Sequence, residues 1–172
     1  MIEVVLGDIT EETTIAIVNA ANTNLLAGGG VCGAIHAAAG PSLEAECLTL
    51  GGCPTGEARI TKAYGLPCEY VIHAVAPRYW DGSRGEANDL ANCYRSIFSL
   101  VRQYKIKSIA IPAIGTGIYR YPLEEAASIA TRVAAEAQKE VNVLVRFICF
   151  DLKTFNAYQS LCVDAKFQQK PL

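Results

Sequence analysis

Short apolar runs alternate along this chain with longer amphipathic segments and glycine-containing turns. Apolar runs bounded by turn residues are typical of strands, and apolar residues spaced three and four positions apart are typical of helices. The predicted strands are 2–6, 15–19, 59–63, 70–76, 108–112 and 141–150. The predicted helices are 31–39, 42–50, 87–104, 122–139 and 152–165, with a helical turn at 9–12. This alternation predicts an α/β fold, a three-layer domain with a largely parallel sheet.

Two glycine turns follow apolar strands. In residues 16–40 a strand passes Asn19 and Asn22 and reaches three glycines at 28–30 before a helix, and residues 111–122 hold the second turn, IGTGIYRYP. Free backbone N–H groups at a helix start and in a glycine turn bind anions, and carboxamides can hydrogen-bond sugar hydroxyls. Each turn alone could be only a tight connection. Together they predict a site that holds a diphosphate from both sides.

The segment between strand 70–76 and helix 87–104 is polar and contains glycine. Its sequence, PRYWDGSRGEAN at 77–88, predicts a flexible surface loop. Its aromatic residues, Tyr79 and Trp80, could either fold over a ligand or pack at the base of the loop.

Length and composition narrow the class of protein. The chain has 172 residues, of which 51% are hydrophobic, and we expect a single domain over 1–172. A net charge of −2 argues against general nucleic-acid binding. We see neither a signal peptide nor an apolar run that could span a membrane. Seven cysteines without a C-x-x-C pair indicate reduced thiols, and we predict a cytoplasmic protein.

Metal and cofactor chemistry is not predicted. The two histidines, His36 and His73, are too few for a histidine-rich centre, and we interpret them as a packed helix residue and a hydrogen-bonded strand residue. The chain lacks a P-loop and a G-x-S-x-G elbow, and no acidic residue stands on a following strand at the offset that a Rossmann G-x-G-x-x-G turn requires. These absences argue against P-loop, α/β-hydrolase and Rossmann chemistry.

Seven ordered motifs carry a family resemblance. They are GDIT, IVNAAN, GGGVCGAIHAAAG, PTGEARIT, VIHAVAP, IPAIGTGIYRYP and FICFD, and they extend over nearly the whole chain. In order and spacing they resemble a macro domain, most of all the MacroD-type branch. The resemblance implies an α/β/α sandwich around a mixed, mostly parallel sheet. It also implies that the partner is ADP-ribose, free or attached to a protein.

The resemblance assigns residues to parts of that ligand. Asp8 would accept a hydrogen bond from the adenine amino group beside the Ile9 backbone, and Phe150 would stack on the adenine. Viewed alone, Asp8 would be a turn residue and Phe150 a core residue. The implied loop residues around the diphosphate are Gly30, Val31, Gly33, Gly115, Thr116, Gly117 and Ile118.

The distal ribose end is assigned in the same way. Tyr119 would lie beside the distal ribose and Asn22 would bind its hydroxyls, whereas Asn19 would hold the loop by bonding backbone groups. Gly115 stands where many members have serine, which removes one hydroxyl from the second loop.

Cys32 departs from the family pattern. MacroD-type hydrolases typically carry GVDGAIH, and here cysteine replaces the aspartate thought to activate or orient water. A neutral thiol is a poor general base, so Asn22, loop amides and the phosphate of the ligand would position the water. A Cys32 nucleophile assisted by His36, four residues later, is disfavoured because the same histidine accompanies aspartate in the family.

The expected activity is hydrolysis of mono-ADP-ribose from acidic side chains of proteins, or of O-acetyl-ADP-ribose, with Asn22 and Cys32 as the candidate catalytic residues. Two alternatives remain open at this point. One is a non-catalytic ADP-ribose reader, and the other is a phosphatase acting on ADP-ribose 1″-phosphate.

Overall fold

The computed structural model describes residues 1–162 and the backbone of 167–169. The strands are β1 (Ile2–Leu6), β2 (Ala16–Ala20), β3 (Ala58–Lys62), β4 (Tyr70–Ala74), β5 (Ser108–Pro112), β6 (Leu144–Cys149) and β7 (Phe167–Gln169). The helices are α1 (Gly30–Ala39), α2 (Pro41–Leu48), α3 (Glu86–Gln103), α4 (Leu123–Ala137) and α5 (Leu152–Gln159), and a 3-10 turn spans Ile9–Glu11. The predicted alternation of strands and helices is confirmed.

One seven-stranded sheet forms the middle layer, in the order β3-β4-β2-β5-β6-β1-β7. Every neighbouring pair is parallel except the antiparallel pair of β3 and β4. Successive residues of a strand point to opposite faces. Accordingly Val4 and Val18 belong to the core on one face, while Val5 and Ile17 belong to the core on the other.

Helices cover both faces of the sheet. Residues of α3, α4 and α5 pack into the larger core, and residues of α1 and α2 pack into the smaller one. Strand β2 is an inner strand, between β4 and β5, and it is buried on both faces, as its apolar sequence predicts. The predicted three-layer α/β/α architecture with a mixed, mostly parallel sheet is confirmed.

Several predicted boundaries differ from the structure. Helix α2 begins at Pro41 after Gly40, so the predicted cap at Ser42 is wrong; Glu46 instead accepts hydrogen bonds from the Lys62 backbone and the Tyr64 hydroxyl. Strand β6 begins only at Leu144. Helix α5 ends at Gln159, and the predicted continuation over 163–165 lies outside the described residues.

The carboxyl-terminal strand is absent from the predicted elements. β7 is three residues long and pairs in parallel with Val4–Leu6 of β1. So short a segment carries no periodicity that could reveal it.

None of the helices in the described part of the chain combines the length and apolarity that crossing a bilayer would need. All seven cysteines are free, as the sequence predicts.

A charged triad ties the start of the chain to β6. The Arg146 guanidinium lies 2.5 Å from a Glu3 carboxylate oxygen and 2.9 Å from one of Glu12, and both glutamates are buried. Burial acts to lower the pKa of Arg146, but the two carboxylates outweigh it and raise that pKa. The guanidinium is therefore the cation that makes two buried negative charges tolerable.

Replacing Arg146 with Met should lower the free energy of unfolding by about 3–5 kcal/mol, because two buried carboxylates lose their counter-ion. The measurement is urea unfolding at neutral pH. Arg102→Met is the matched control, since Arg102 pairs with Glu140 on the surface and should cost at most about 1 kcal/mol. Equal losses for both variants would contradict the assigned role of the triad.

Candidate functional site

A cavity of about 600 Å³ lies at the carboxyl edge of the parallel strands. Its walls include Gly7 after β1, Ala20 at the end of β2, Ala76 after β4, Pro112 at the end of β5 and Ile148 near the end of β6. Parallel strands end on the same edge of a sheet, and ligands of α/β proteins bind there. The sheet order therefore fixes which loops meet.

Most predicted ligand residues line this cavity. They are Ile9, Asn22, Gly30, Val31, Cys32, Gly115, Thr116, Gly117, Ile118, Tyr119 and Phe150. Asp8 and Gly33 do not line it. The two glycine loops, which are far apart in the sequence, are thus brought onto one site as expected.

The two loops present backbone donors to the cavity. Helix α1 begins at Gly30, and the first N–H groups of a helix have no acceptor within it. Among the described residues, no acceptor is found for the N–H groups of Thr116, Gly117 and Ile118. Gly115, at φ +85°, makes the turn that exposes them. Donors from two sides can hold an anion without any lysine.

Gly33 supports the first loop from beneath. Its N–H donates to the Gly29 carbonyl at 3.2 Å, so the prediction of a free donor at this position is not met in the structure. A Cβ on Gly33 would collide with the Gly28 carbonyl oxygen. Glycine is required here for the close approach of helix and loop.

Of the two asparagines, Asn19 makes contacts other than the predicted ones. The Asn22 amide makes two hydrogen bonds with the backbone of Leu26, donating to its carbonyl at 2.8 Å and accepting from its N–H at 3.1 Å. Asn19 is fully buried, and its Nδ2 contacts side chains, at 3.1 Å from His73 Nδ1 and 3.7 Å from Cys32 Sγ. The prediction that Asn19 holds backbone groups is wrong, and Asn22 performs that task. Asn22 still lines the cavity with one N–H and one lone pair to spare.

Cys32 forms part of the cavity floor. Its Sγ lies 3.6 Å from the Leu26 carbonyl oxygen, to which it donates, and the side chain is nearly buried. His36 lies one turn further along α1, but neither of its ring nitrogens has a hydrogen-bond partner among the described residues. Burial lowers the pKa of His36 despite the opposing charge of Glu44. In the described structure His36 therefore forms no hydrogen bond that could activate Cys32 as a nucleophile.

A polar cluster lies behind this floor. The Cys47 sulfur and one nitrogen from each of His36 and His73 lie within 4.8 Å of one another, a set that could surround a metal ion. However, His73 Nδ1 accepts from Asn19 and its Nε2 lies 2.9 Å from Thr61 Oγ1, so both ring nitrogens are already engaged. Burial, followed by nearby acidic groups, raises the pKa of the Cys47 thiol to about 11. We interpret the cluster as hydrogen-bonded core, and the structural hydrogen bonds predicted for His73 are confirmed.

The far end of the cavity lies at β6 and β1. The Phe150 side chain is 84% exposed and lines the cavity, so it is not the core residue that its strand-end position alone would indicate. Asp8 Oδ1 accepts from the Thr10 N–H and hydroxyl and caps the 3-10 turn, while its Oδ2 has no hydrogen-bond partner in the described chain. Asp151 caps α5 through the Thr154 N–H at 2.7 Å.

Some lining residues were not predicted. They include Gly7, Ala20, Ala21, Ala76, Ile148 and Thr154. Small or apolar residues carry no chemical signal, and only the parallel sheet order could have indicated that these strand ends meet.

Fold and site together define a class of protein, a three-layer α/β domain with a ligand-sized cavity between two glycine loops. A model of the macro domain family matches residues 18–130 of the chain. The chain belongs to the macro domain family, as the sequence motifs predict.

Known relatives extend over most of the chain. A macro domain-containing protein of Methanosarcina mazei is 53% identical over 84% of this chain and 79% of its own length. A Pantoea vagans protein named O-acetyl-ADP-ribose deacetylase 1 is 47% identical over 93% of this chain and 97% of its own. The Trypanosoma brucei macrodomain solved in complex with ADP-ribose has a TM-score of 0.87 and 42% identity, covering 94% of this chain and 68% of that one.

Stability should fall in weak acid because of His73. Burial, with a smaller contribution from His36, lowers the pKa of His73 from 6.5 to about 3 in the folded state. As the pH falls below 6.5, His73 therefore binds a proton in the unfolded chain but not in the folded chain. The free energy of unfolding consequently decreases as the pH falls from 6.5 towards 3. Between pH 7 and pH 5 this loss should reach about 2 kcal/mol.

The measurement is urea unfolding at both pH values for the wild type and for His73→Gln. His73→Gln should be less stable than the wild type at every pH. The decrease in its free energy of unfolding between pH 7 and pH 5 should, however, be smaller than that of the wild type by about 2 kcal/mol. Identical pH dependence in the two proteins would exclude His73 as the titrating group.

Proposed function

We propose that this macro domain binds ADP-ribose, free or attached to a protein. The observation that carries the proposal is the pair of glycine loops whose unpaired N–H groups converge on one cavity. The volume of about 600 Å³ suits a nucleotide-sized ligand. The relative solved with ADP-ribose supports the same ligand.

The proposed orientation follows the order of the strand ends. Adenine lies at the β6 and β1 side, where Phe150 offers an exposed ring. Asp8 lies between the lining residues Gly7 and Ile9, and its Oδ2 would accept from the amino group at the rim of the cavity. The diphosphate lies between the loops that begin at Gly30 and Gly115. The distal ribose lies at the β2 side, beside Asn22 and Tyr119.

ADP-ribose should bind in a saturable titration followed by calorimetry, and AMP and NAD should bind at least about tenfold more weakly. AMP lacks the second phosphate and the distal ribose, so it loses contacts with the donors of the loops. NAD carries a nicotinamide on C1″ of the distal ribose, and this extra group has to be accommodated beside Asn22 and Tyr119. Phe150→Ala should weaken ADP-ribose binding because the stacking surface is lost. Tyr104→Ala, an exposed aromatic at the end of α3 that does not line the cavity, is the control. The absence of saturable binding would refute the proposed ligand.

We further propose that the site hydrolyses the ester between C1″ of the distal ribose and an acidic side chain. Water adds at C1″, the C1″–O bond breaks, and the carboxylic acid leaves. O-acetyl-ADP-ribose would be a related substrate, which the name of the Pantoea vagans relative supports. Asn22, the loop amides and the phosphate of the ligand would position the water, and this demands little of Cys32.

A reader without catalysis is the second candidate, and one observation favours it. Among the described lining residues the only carboxylate is that of Asp151, which caps α5 on the far side of β5 from Cys32. No strong general base therefore faces the ribose carbon.

The variant Cys32→Asp should separate these candidates. An added carboxylate can orient or activate water, so hydrolysis should rise at least about tenfold over a slow wild-type rate, while Cys32→Ala should stay near the wild type. The assay measures ADP-ribose released from a protein modified on glutamate or aspartate. Activity in Cys32→Asp alone would identify the natural protein as a reader.

A further inference from the structure

The loop 77–85, between β4 and α3, is joined to the second glycine loop. The Tyr79 N–H donates to the Tyr119 carbonyl at 2.8 Å, and the Arg78 guanidinium lies 5.4 Å from the centre of the Tyr119 ring. Tyr79 packs edge-on against Tyr121 at 4.9 Å, so this aromatic lies at the base of the loop. Tyr119, which lines the cavity, is therefore held from behind by this loop.

One side chain organises the loop. Glu86, the first residue of α3, is only 2% exposed, and its carboxylate turns back into the loop instead of towards solvent. It accepts hydrogen bonds from the backbone N–H groups of Trp80, Asp81, Gly82 and Arg84. The shortest joins Oε2 to Arg84 N at 2.7 Å, and the bonds from Trp80 and Gly82 to Oε1 measure 3.1 and 3.2 Å.

The chemistry of this arrangement requires a carboxylate. A buried charge is tolerated only when donors satisfy it, and here only backbone donors converge on both oxygens. Burial acts to raise the pKa of Glu86, but these N–H groups outweigh it and lower that pKa to about 2. Gly82 and Gly85, at φ +81° and +78°, allow the chain to wrap around the carboxylate.

Among the described residues the loop forms no hydrogen bond with the first glycine loop, and its one hydrogen bond to a cavity-lining residue is that from Tyr79 to Tyr119. Tyr79 also packs on Tyr121, which lies behind the cavity wall and bonds to the Gly115 carbonyl. Disordering the loop would release the Tyr119 carbonyl and uncover one face of its ring. Loop 77–85 follows β4, which lies on the β2 side of β5, so the part of the cavity affected is the β2 end beside Asn22. The end beside Phe150, which follows β6, would keep its walls.

We propose that Glu86 is a positioning residue for the distal-ribose end of the cavity. It holds loop 77–85 in the conformation that fixes Tyr119, and so it selects for ligands that carry a distal ribose. This inference rests on the proposed binding of ADP-ribose and extends it to a residue outside the cavity.

The test compares ADP-ribose with ADP, which shares the adenine and diphosphate but lacks the distal ribose. In Glu86→Gln an NH2 group replaces one carboxylate oxygen and faces backbone N–H donors. The hydrogen bonds that hold the loop should therefore be weakened or lost. The affinity for ADP-ribose should fall about tenfold while that for ADP changes less than about twofold. Glu140→Gln, on the surface, is the matched control and should change neither.

A thermodynamic cycle with Tyr119→Ala distinguishes positioning from a general loss of structure. If Glu86 acts through Tyr119, then Glu86→Gln should cause no further loss of ADP-ribose affinity in the Tyr119→Ala protein. Unfolding curves establish that each variant is folded. Should Glu86→Gln not fold, Glu86→Asp keeps the charge but shortens its reach and is tested in the same way.

Equal losses of ADP and ADP-ribose, or no loss of either, would overturn the positioning role. Additive losses in the cycle would also overturn it. A wild-type protein that binds neither ligand would instead refute the proposed function, so the two failures are distinguishable.

Discussion

The parallel pairing of β4, β2, β5, β6 and β1 is the constraint on which the site depends. It places five carboxyl strand ends along one edge, and each following loop contributes to one wall of the same cavity. Gly7, Ala76 and Ile148 are far apart in the sequence. They line the same cavity only because their strands run parallel in one sheet. The order of these strands also gives the cavity two chemically different ends, an exposed aromatic by β6 and a polar floor by β2.

Beneath the β2 end, burial determines what the polar groups can do. Cys32, Asn19, His73 and Thr61 form a continuous chain of contacts from the cavity floor into the sheet. Both His73 ring nitrogens are engaged by Asn19 and Thr61, and the Cys32 thiol and the Thr61 hydroxyl donate to backbone carbonyls. Burial keeps His73 neutral. The same chain that stabilises the floor therefore makes His73 unsuitable as a proton acceptor at the ribose. Catalysis, where it occurs, has to use groups at the surface of the floor.

The order of strands and helices and the two anion-binding loops could be predicted from the sequence, for identifiable reasons. Periodicity found each long element, and the glycine turns marked the anion-binding loops because glycine leaves a strong local signal. Contacts between residues that are far apart in the sequence leave no such local signal. No sequence feature near Glu3 or Glu12 indicates that Arg146 lies between them. The prediction that Asn19 bonds backbone groups failed because the sequence around Asn19 resembles that around Asn22, while only Asn19 is enclosed by the sheet.

The loop 77–85 shows how composition can mislead about order. A polar, glycine-containing segment predicts flexibility, since few of its side chains can be buried. The deciding residue, Glu86, lies within the segment predicted as loop, yet it begins α3 and is buried. A single carboxylate with four backbone donors replaces the missing apolar contacts. Polar loops beside a ligand cavity can thus be preorganised by one buried charge, which costs less conformational entropy on binding than a loop that orders around its ligand.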